Sequence, residues 1–382
     1  MIRPLPFSRR LHAASLRTAT LMLGAVAVLF AVGCQNRSAR NDASPSRIHL
    51  ENGRKLSKVG NTLGARQEWT TAIALDPVDP SSYLAIADQE EAAGNYEAAA
   101  RELEALRQAV PHASEVRCRQ ARLYRAENRF EKAFYAASEA IRSEPGCAAG
   151  HRTIALLLEE SGQNVRAVEE ILTARKLAPG DEATALDTAR LLARTGRSRE
   201  ALALTEAQLK SAASSPQANY LMGWLLGEYG GSSAGEKALA YLEIALKQDP
   251  NNLPSAAEKG ILLARLRRDA EAQKSLEYAV QHGAPFAETL AALAQVRMRL
   301  HRPDAARLAQ AAAELQRLVQ ALQAARTHYL KSPSDTSNAL ALAALEAQFG
   351  NRPDAVDLVQ QALRANPDDP AALRLLHALM KR

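Results

Sequence analysis

A repeat with a period of 34 residues runs through most of this sequence, and it restricts the fold more than any other feature. Small residues form one column of the repeat, alanines form a second and prolines form a third. In the first two columns every spacing is 34 residues except for one of 37 and one of 49, which the same two insertions explain. Chance matches in an alanine-rich chain would not share a period and two insertions, so the chain is built from repeated units. The columns are Gly53, Ala87, Ala121, Ala155, Ala189, Gly223, Gly260, Ala294 and Ala343; Ala65, Ala99, Ala133, Ala167, Ala201, Ala238, Ala272, Ala306 and Ala355; and Pro77, Pro111, Pro145, Pro179, Pro250 and Pro367.

Each window of the repeat predicts two amphipathic helices, joined by a short turn and closed by a proline that stops the second helix. Small residues where the helices cross let the two backbones approach closely. One pair cannot bury its apolar face alone, so we expect nine stacked pairs with contacts between neighbouring pairs only. The turn residues are Gly60, Gly94, Asn128, Gly162, Gly196 and Gly350. The windows are 46–79, 80–113, 114–147, 148–181, 182–215, 216–252, 253–286, 287–335 and 336–369, and residues 370–382 form a capping helix.

Two insertions interrupt the period. Three extra residues fall in 228–235, where they predict a wider turn. Fifteen extra residues follow Asp304, and the segment from there to Lys331 contains neither glycine nor proline. The second helix of this window is therefore expected to be long, about 28 residues or roughly 42 Å.

The period and its columns resemble the tetratricopeptide repeat over residues 46–369. The window 46–79 carries the resemblance best, through Gly53, Ala65, Trp69, Ala72 and Pro77. The resemblance implies an all-α, right-handed α-solenoid of about nine helix pairs. It also implies a protein or peptide partner in the concave groove, with no small-molecule substrate and no cofactor.

The amino terminus predicts an export signal at residues 1–33. Four arginines and no acidic residue precede or flank a purely apolar run at 21–33, which is the order found in secretory signals. The run ends in Ala31-Val32-Gly33-Cys34, which resembles the lipobox of bacterial lipoproteins. This resemblance implies that Cys34 is lipidated and becomes the first mature residue, with residues 34–45 as a flexible tether.

The resemblance to lipoproteins also bears on location. Gln35 is not aspartate, which in lipoproteins of the enteric type implies transport to the outer membrane, facing the periplasm. Two alternatives stay open, an uncleaved anchor and simple secretion. The uncharged stretch from Thr18 to Cys34 has 17 residues, at the lower edge of what crosses a bilayer as a helix.

Charge and chemistry exclude several classes of function. The net charge of +6 falls to +2 when the four signal arginines are removed, so it does not support nucleic-acid binding. The eight histidines show no zinc-binding spacing, and no nucleophile motif occurs. Acidic pairs such as Glu90-Glu91 and Glu159-Glu160 are interpreted as solvated helix faces. The sequence therefore predicts a protein that is not an enzyme and has no metal site.

Cys118 and Cys147 are expected at the same end of one helix pair. An oxidising periplasm would permit a disulfide between them, but their spacing does not establish one. Two buried free cysteines are the other possibility.

The first helices of the pairs line the concave surface in the tetratricopeptide family. By this resemblance, residues flanking the small-residue column face a ligand. The predicted binding residues within this row are Arg122, Arg152, Arg190, Arg194, Tyr220, Trp224 and Arg265, and its further members are Arg54, Asp88, Arg125, Leu156, Gln295 and Arg299. The arginines suggest a locally basic groove for carboxylates or an acidic peptide. Two simpler interpretations are arginines paired with neighbouring acids, and Trp224 filling the seam beside Gly223.

The leading functional hypothesis is a lipid-anchored periplasmic scaffold for cell-envelope assembly, of pilus, secretion or polysaccharide-export type. A second hypothesis is a docking adaptor that recruits a separate cell-wall enzyme. A third is a scaffold that faces the cytoplasm and is held by an uncleaved helix.

Overall fold

The computed structural model describes residues 44–110, 114–283 and 286–381, which form 19 helices and no strand. The helices are α1 (Pro45–Lys58), α2 (Thr62–Leu75), α3 (Pro80–Ala92), α4 (Tyr96–Ala109), α5 (Ser114–Ala126), α6 (Phe130–Ser143), α7 (Ala148–Glu160), α8 (Asn164–Leu177), α9 (Glu182–Arg194), α10 (Ser198–Ser211), α11 (Pro216–Tyr229), α12 (Gly235–Gln248), α13 (Leu253–Arg265), α14 (Asp269–Gln281), α15 (Ala287–Arg299), α16 (Ala305–Lys331), α17 (Thr336–Phe349), α18 (Arg352–Ala365) and α19 (Pro370–Met380). Each predicted window holds two of them. The all-α solenoid class is confirmed.

The turn inside each pair uses one residue with positive φ. Glycine or asparagine occupies this position at the six predicted places. In two windows the same position is held by Arg267 with φ 62° and His301 with φ 53°. L residues enter this region at a cost of roughly 1–2 kcal/mol, so helix packing must hold these two residues there.

Contacts divide the chain after Gln89. In the unit that ends there, Trp69 packs against Gly53, where a Cβ atom would overlap the indole ring. The indole Nε1 donates to the carbonyl oxygen of Leu50 at 3.2 Å. The small residue in this column therefore provides the space for the aromatic residue of the second helix.

The unit that begins at Glu90 contains the remaining seams, and the same close approach recurs there. A Cβ atom on Gly260 would lie 2.6 Å from Cγ of Leu276, and one on Gly223 would lie 2.6 Å from Cγ of Leu242. Leu242 and not Trp224 fills the space beside Gly223, which answers the alternative raised for that tryptophan.

Both insertions take the predicted form. The shorter one contains a 3-10 turn at Ser232–Ala234. The longer one extends α16 to 27 residues, against the expected 28 or so.

The expectation of contacts between neighbouring pairs only is wrong for the unit from Glu90 onward. Helix α18 of its last full pair packs on α6, and α16 packs on α7, although these partners lie more than 150 residues earlier in the sequence. Asp357 on α18 accepts from Nε of Arg129 at 2.9 Å, and the backbone N–H of Glu131 donates to Oδ1 of Asp354 at 3.1 Å. On α16, Thr327 donates to the carbonyl oxygen of Ser161 at 2.7 Å. These contacts close the unit on itself.

An apolar cluster completes this closure. Phe130 and Leu157 are buried together with Leu322, Tyr329 and Leu358 from the far end of the chain. The guanidinium of Arg326 lies 4.6 Å above the ring of Phe130 and bonds Glu346 and Glu160. α19 packs on α17 and α18, as expected of a capping helix. We call this contact between α16–α18 and α6–α7 the closure interface.

Cys118 and Cys147 form a disulfide with their α-carbons 6.3 Å apart. It ties α5 to the residue that caps α7, so the possibility of two free cysteines is wrong. The predicted signal at 1–33, the lipidation site Cys34 and most of the tether lie outside the described residues. Within the described ranges, no helix combines the length and the apolar composition that crossing a bilayer requires.

Candidate functional site

The arginines of the predicted row lie on the first helices of their pairs, and carboxylates face them. On α7, Arg152 donates from Nε to Asp187 of α9 at 2.8 Å. Arg190 on α9 contacts the same Asp187 at 2.8 Å and also contacts Glu159 of α7. Arg194 lies 3.3 Å from Glu159. Three cations and two carboxylates thus link α7 to α9.

The two carboxylates of this network stabilise the positive charge of Arg190. Glu159 is only 8% exposed. Burial acts against the charge of Arg190, but Glu159 and Asp187 raise the pKa of its guanidinium above the ordinary value. Arg190 therefore keeps its positive charge in this network, facing both carboxylates.

The other arginines of the row are paired in the same way. Arg122 lies 2.5 Å from Glu91, and Arg265 lies 2.5 Å from Glu228. The expected local excess of positive charge is thus offset by carboxylates. Glu91, Glu159 and Glu160 all form ion pairs, so their interpretation as simply solvated helix faces is wrong. Leu156, a further member of the row, is buried.

A concave pocket of about 630 Å³ lies across α9, α11, α13 and α15. We call it the groove pocket. It collects five members of the predicted row, Arg194, Trp224, Arg265, Gln295 and Arg299, and its other lining residues are Glu228, Glu258, Ile261, Ala264, Arg267, Glu288, Ala291 and Ala292. Because all four helices are first helices of successive pairs, the predicted groove surface has a physical counterpart here.

The two aromatic residues of the row occupy different places. Trp224 lines the groove pocket and packs edge to face against Tyr229, with ring centroids 5.8 Å apart. Tyr220 packs against the apolar cluster of α12 to α15, and burial raises the pKa of its hydroxyl to about 12. Trp224 is thus the aromatic contact surface of the pocket.

Glu258 is the residue of this site that sequence reasoning missed. It lines the groove pocket, is 9% exposed, and its Oε1 has no hydrogen-bond partner. Burial, together with the negative charges of Glu228 and Glu288, raises its pKa to about 7, although Arg265 acts in the opposite direction. A carboxyl group that titrates near neutrality is therefore placed inside the groove.

Comparison with protein families identifies the repeats. One tetratricopeptide-repeat model matches residues 336–379, and a second matches residues 50–114 and 118–182. The chain is a tetratricopeptide-repeat protein. Such repeats form a scaffold for protein–protein interaction, and the fold is generally non-catalytic. A search of curated protein sequences finds no match to this tetratricopeptide-repeat protein.

Solved structures with the same fold are remote in sequence. A human IFIT1 dimer with PPP-AAAA shares 13% identity at a TM-score of 0.54, covering 83% of this chain and 82% of that one. A monomeric IFIT1 mutant with Gppp-AAAA shares 13% identity at a TM-score of 0.55, covering 82% and 79%. A chain of the APC/C hetero-tetramer Cut9-Hcn1 shares 14% identity at a TM-score of 0.49, and the match spans 59% of its length. The two IFIT1 similarities concern the fold of the tetratricopeptide-repeat protein alone.

Proposed function

We propose that this tetratricopeptide-repeat protein is a lipid-anchored, periplasm-facing scaffold. In its groove it holds a protein or peptide segment of a cell-envelope assembly system, of pilus, secretion or polysaccharide-export type. The observation that carries the proposal is the groove pocket of about 630 Å³ on four successive first helices. A pocket of this size accommodates a few side chains of an extended or helical segment.

The location rests on two independent features. The first is the sequence of residues 1–34, with its arginines, apolar run and Gly33-Cys34. The second is the disulfide between Cys118 and Cys147, because such bonds persist in oxidising compartments and are rare in the cytosol. The disulfide favours a periplasmic protein over the hypothesis of a scaffold that faces the cytoplasm.

The ion pairs of the groove bear on the class of partner. The IFIT1 structures of similar fold contain PPP-AAAA or Gppp-AAAA. Phosphate backbones require unpaired cations for affinity. In the described groove the arginines of the predicted row are paired with carboxylates and the pocket holds three glutamates, which favours a protein partner over a nucleic acid.

Lipidation is tested by labelling growing cells with a lipid precursor. The wild-type protein is expected to incorporate the label, and Cys34→Ser is expected to lose both the label and the membrane fractionation. Cys118→Ser with Cys147→Ser is the control, because it removes the other two cysteines together and leaves no unpaired thiol. An unlabelled wild-type protein of 41.2 kDa would contradict the lipoprotein proposal.

Partner capture is tested with the double variant Arg190→Ala with Trp224→Ala. Its fold should persist, since Asp187 keeps Arg152 and Glu159 keeps Arg194. Trp224 lines the groove pocket, and Arg190 lies in the ion-pair network beside Arg194. Truncating a binding anchor such as Trp224 typically costs about 2 kcal/mol or more of binding energy. Crosslinked envelope partners should therefore be lost from pull-downs while the helical circular dichroism signal is unchanged.

The control for this experiment is Arg197→Ala with Tyr241→Ala, which removes an arginine and an aromatic residue outside the groove. Retention of all partners by the groove variant, and their loss in the double variant Glu314→Ala with Arg317→Ala on the exposed side of α16, would place binding on the long helix instead. A captured cell-wall enzyme would favour the docking-adaptor hypothesis, and captured assembly components would favour the scaffold.

A further inference from the structure

The repeat places two acidic residues at the same position of the groove. Asp187 is the sixth residue of the window 182–215, and Glu258 is the sixth residue of the window 253–286. Both lie on the first helix of their pair. The surroundings of Asp187 can therefore be compared directly with those of Glu258.

At Asp187 the chain supplies two cations. Arg152, the fifth residue of the preceding window, donates at 2.8 Å, and Arg190, the ninth residue of the same window, lies at 2.8 Å. At Glu258 the corresponding residues are Tyr220 and Ile261. Neither carries a positive charge, so the carboxyl group of Glu258 lacks the partners that its equivalent has.

The surroundings of Glu258 do not replace those partners. Arg265 is engaged by Glu228 at 2.5 Å. The other cations that line the groove pocket are Arg194 and Arg299, which pair with Glu159 and Asp269, and Arg267, which is exposed at the turn. In the described part of the chain, Oε1 of Glu258 is buried without a donor, and Glu288 is exposed without an ion pair.

Trp224 completes the arrangement. It lies in the same pocket, and its half-buried ring offers an aromatic face and apolar surface. Indole is the aromatic group that attracts a cation most strongly. A long basic side chain combines an apolar stem with a charged end, which matches this combination of surfaces.

We propose that the groove pocket takes one basic side chain, a lysine or an arginine, of the bound partner segment. Its charge lies against Glu258, in the place that Arg152 and Arg190 occupy over Asp187, and its stem lies along Trp224. The proposal rests on the proposed function and names the chemistry of the partner at one subsite. It replaces the acidic peptide that the arginine row suggested.

The first test measures fluorescence anisotropy of labelled tetralysine with the full chain in detergent. Wild-type protein is expected to bind tetralysine at least tenfold more tightly than tetraglutamate. Glu258→Gln should weaken tetralysine binding at least tenfold. Glu206→Gln, which makes the same change on an exposed site of α10, should leave it within twofold.

The second test fills the site from within. Ile261→Arg places a cation at the position that Arg190 holds over Asp187, so it is expected to abolish tetralysine binding. Ile261→Met is the control, since it keeps the volume without the charge. Loss of binding in both variants to the same extent would contradict the proposal.

The pH dependence of the free energy of unfolding tests the proposal without any ligand. The groups that face Glu258 are Tyr220, Glu228, Arg265 and Glu288. The pKa of Glu258 is about 7 in the folded chain against 4.5 in the unfolded chain. Its contribution to the free energy of unfolding is therefore fully present below pH 4.5 and is lost as the pH rises through about 7. Ile261→Arg and Glu258→Gln should both remove this fall, whereas Ile261→Met should keep it.

The outcomes separate this proposal from the proposed function. Equal binding of tetralysine and tetraglutamate, preference for an oligoadenylate RNA, or undiminished binding by Glu258→Gln would each overturn the basic subsite. The pull-down with the Arg190 and Trp224 variant would still report on groove binding. Loss of envelope partners there, with no effect of Glu258→Gln on their capture, would leave the scaffold intact and remove the subsite alone.

Discussion

Single glycines show how much each seam depends on the absence of a side chain. On Gly260 of α13, a Cβ atom would lie 2.6 Å from Cγ of Leu276 and 3.0 Å from its backbone nitrogen. On Gly227 of α11, the nearest atoms to a Cβ would be 3.8 Å away, in Glu258 and Leu262. Gly260 belongs to the small-residue column of the repeat, and Gly227 does not.

We therefore predict opposite effects of the same substitution. Gly260→Ala should lower the free energy of unfolding by about 1–3 kcal/mol, because the seam must open. Gly227→Ala should raise it by roughly 0.5–1 kcal/mol, because alanine loses less backbone entropy in a helix than glycine does. Urea unfolding of both variants measures the difference. Equal destabilisation would contradict the assignment of the column to a close helix crossing.

At the scale of helices, α16 has the most influence on the rest of the fold. Its 27 residues span about 40 Å at 1.5 Å per residue, roughly four turns more than the other second helices. The start of α16 packs with α15, and its end carries Arg326 and Thr327 to Glu160 and Ser161. The insertion therefore does more than lengthen one helix, because it is part of the closure interface.

At the scale of the unit from Glu90 onward, the closure interface joins residues that are 228 apart in the sequence. Asp357 is 7% exposed and depends on Arg129 and Lys132 to balance its charge. Asp354 is fully buried, and burial and Glu346 raise its pKa well above the ordinary value. Nearest-neighbour stacking alone would leave these carboxyl groups in water.

We predict that Arg129→Ala opens this interface. Losing one partner of a buried ion pair costs about 3 kcal/mol or more, and Lys132 compensates only partly. Hydrogen exchange should accelerate in α6 and α18 while α12 to α14 keep their protection. Arg197→Ala, which removes an exposed pair with Glu200, should change stability by less than about 1 kcal/mol. Unchanged exchange in α18 would show that the closure does not depend on this pair.

The sequence alone predicted the helix pairs, the turns and the length of α16. Periodicity, turn residues and the absence of helix breakers act within one window, so they can be read without knowing the rest of the fold. The row on the first helices was also predictable, because the repeat register places its residues on one face. Of that row, Arg194, Trp224 and Arg265 meet in the groove pocket.

The tertiary structure alone decided which charges are paired. Glu159 and Glu160 look alike in the sequence, yet one pairs with Arg190 of the next helix pair and the other with Arg326, 166 residues away. The closure interface likewise depends on how small rotations between pairs add up along the stack, whereas the disulfide depends on how α5 packs beside the start of α7. Glu258 lacks a cationic partner because the preceding window carries Tyr220 and its own window carries Ile261 at the positions of the two arginines around Asp187. These side chains surround the carboxyl group only once the windows are stacked.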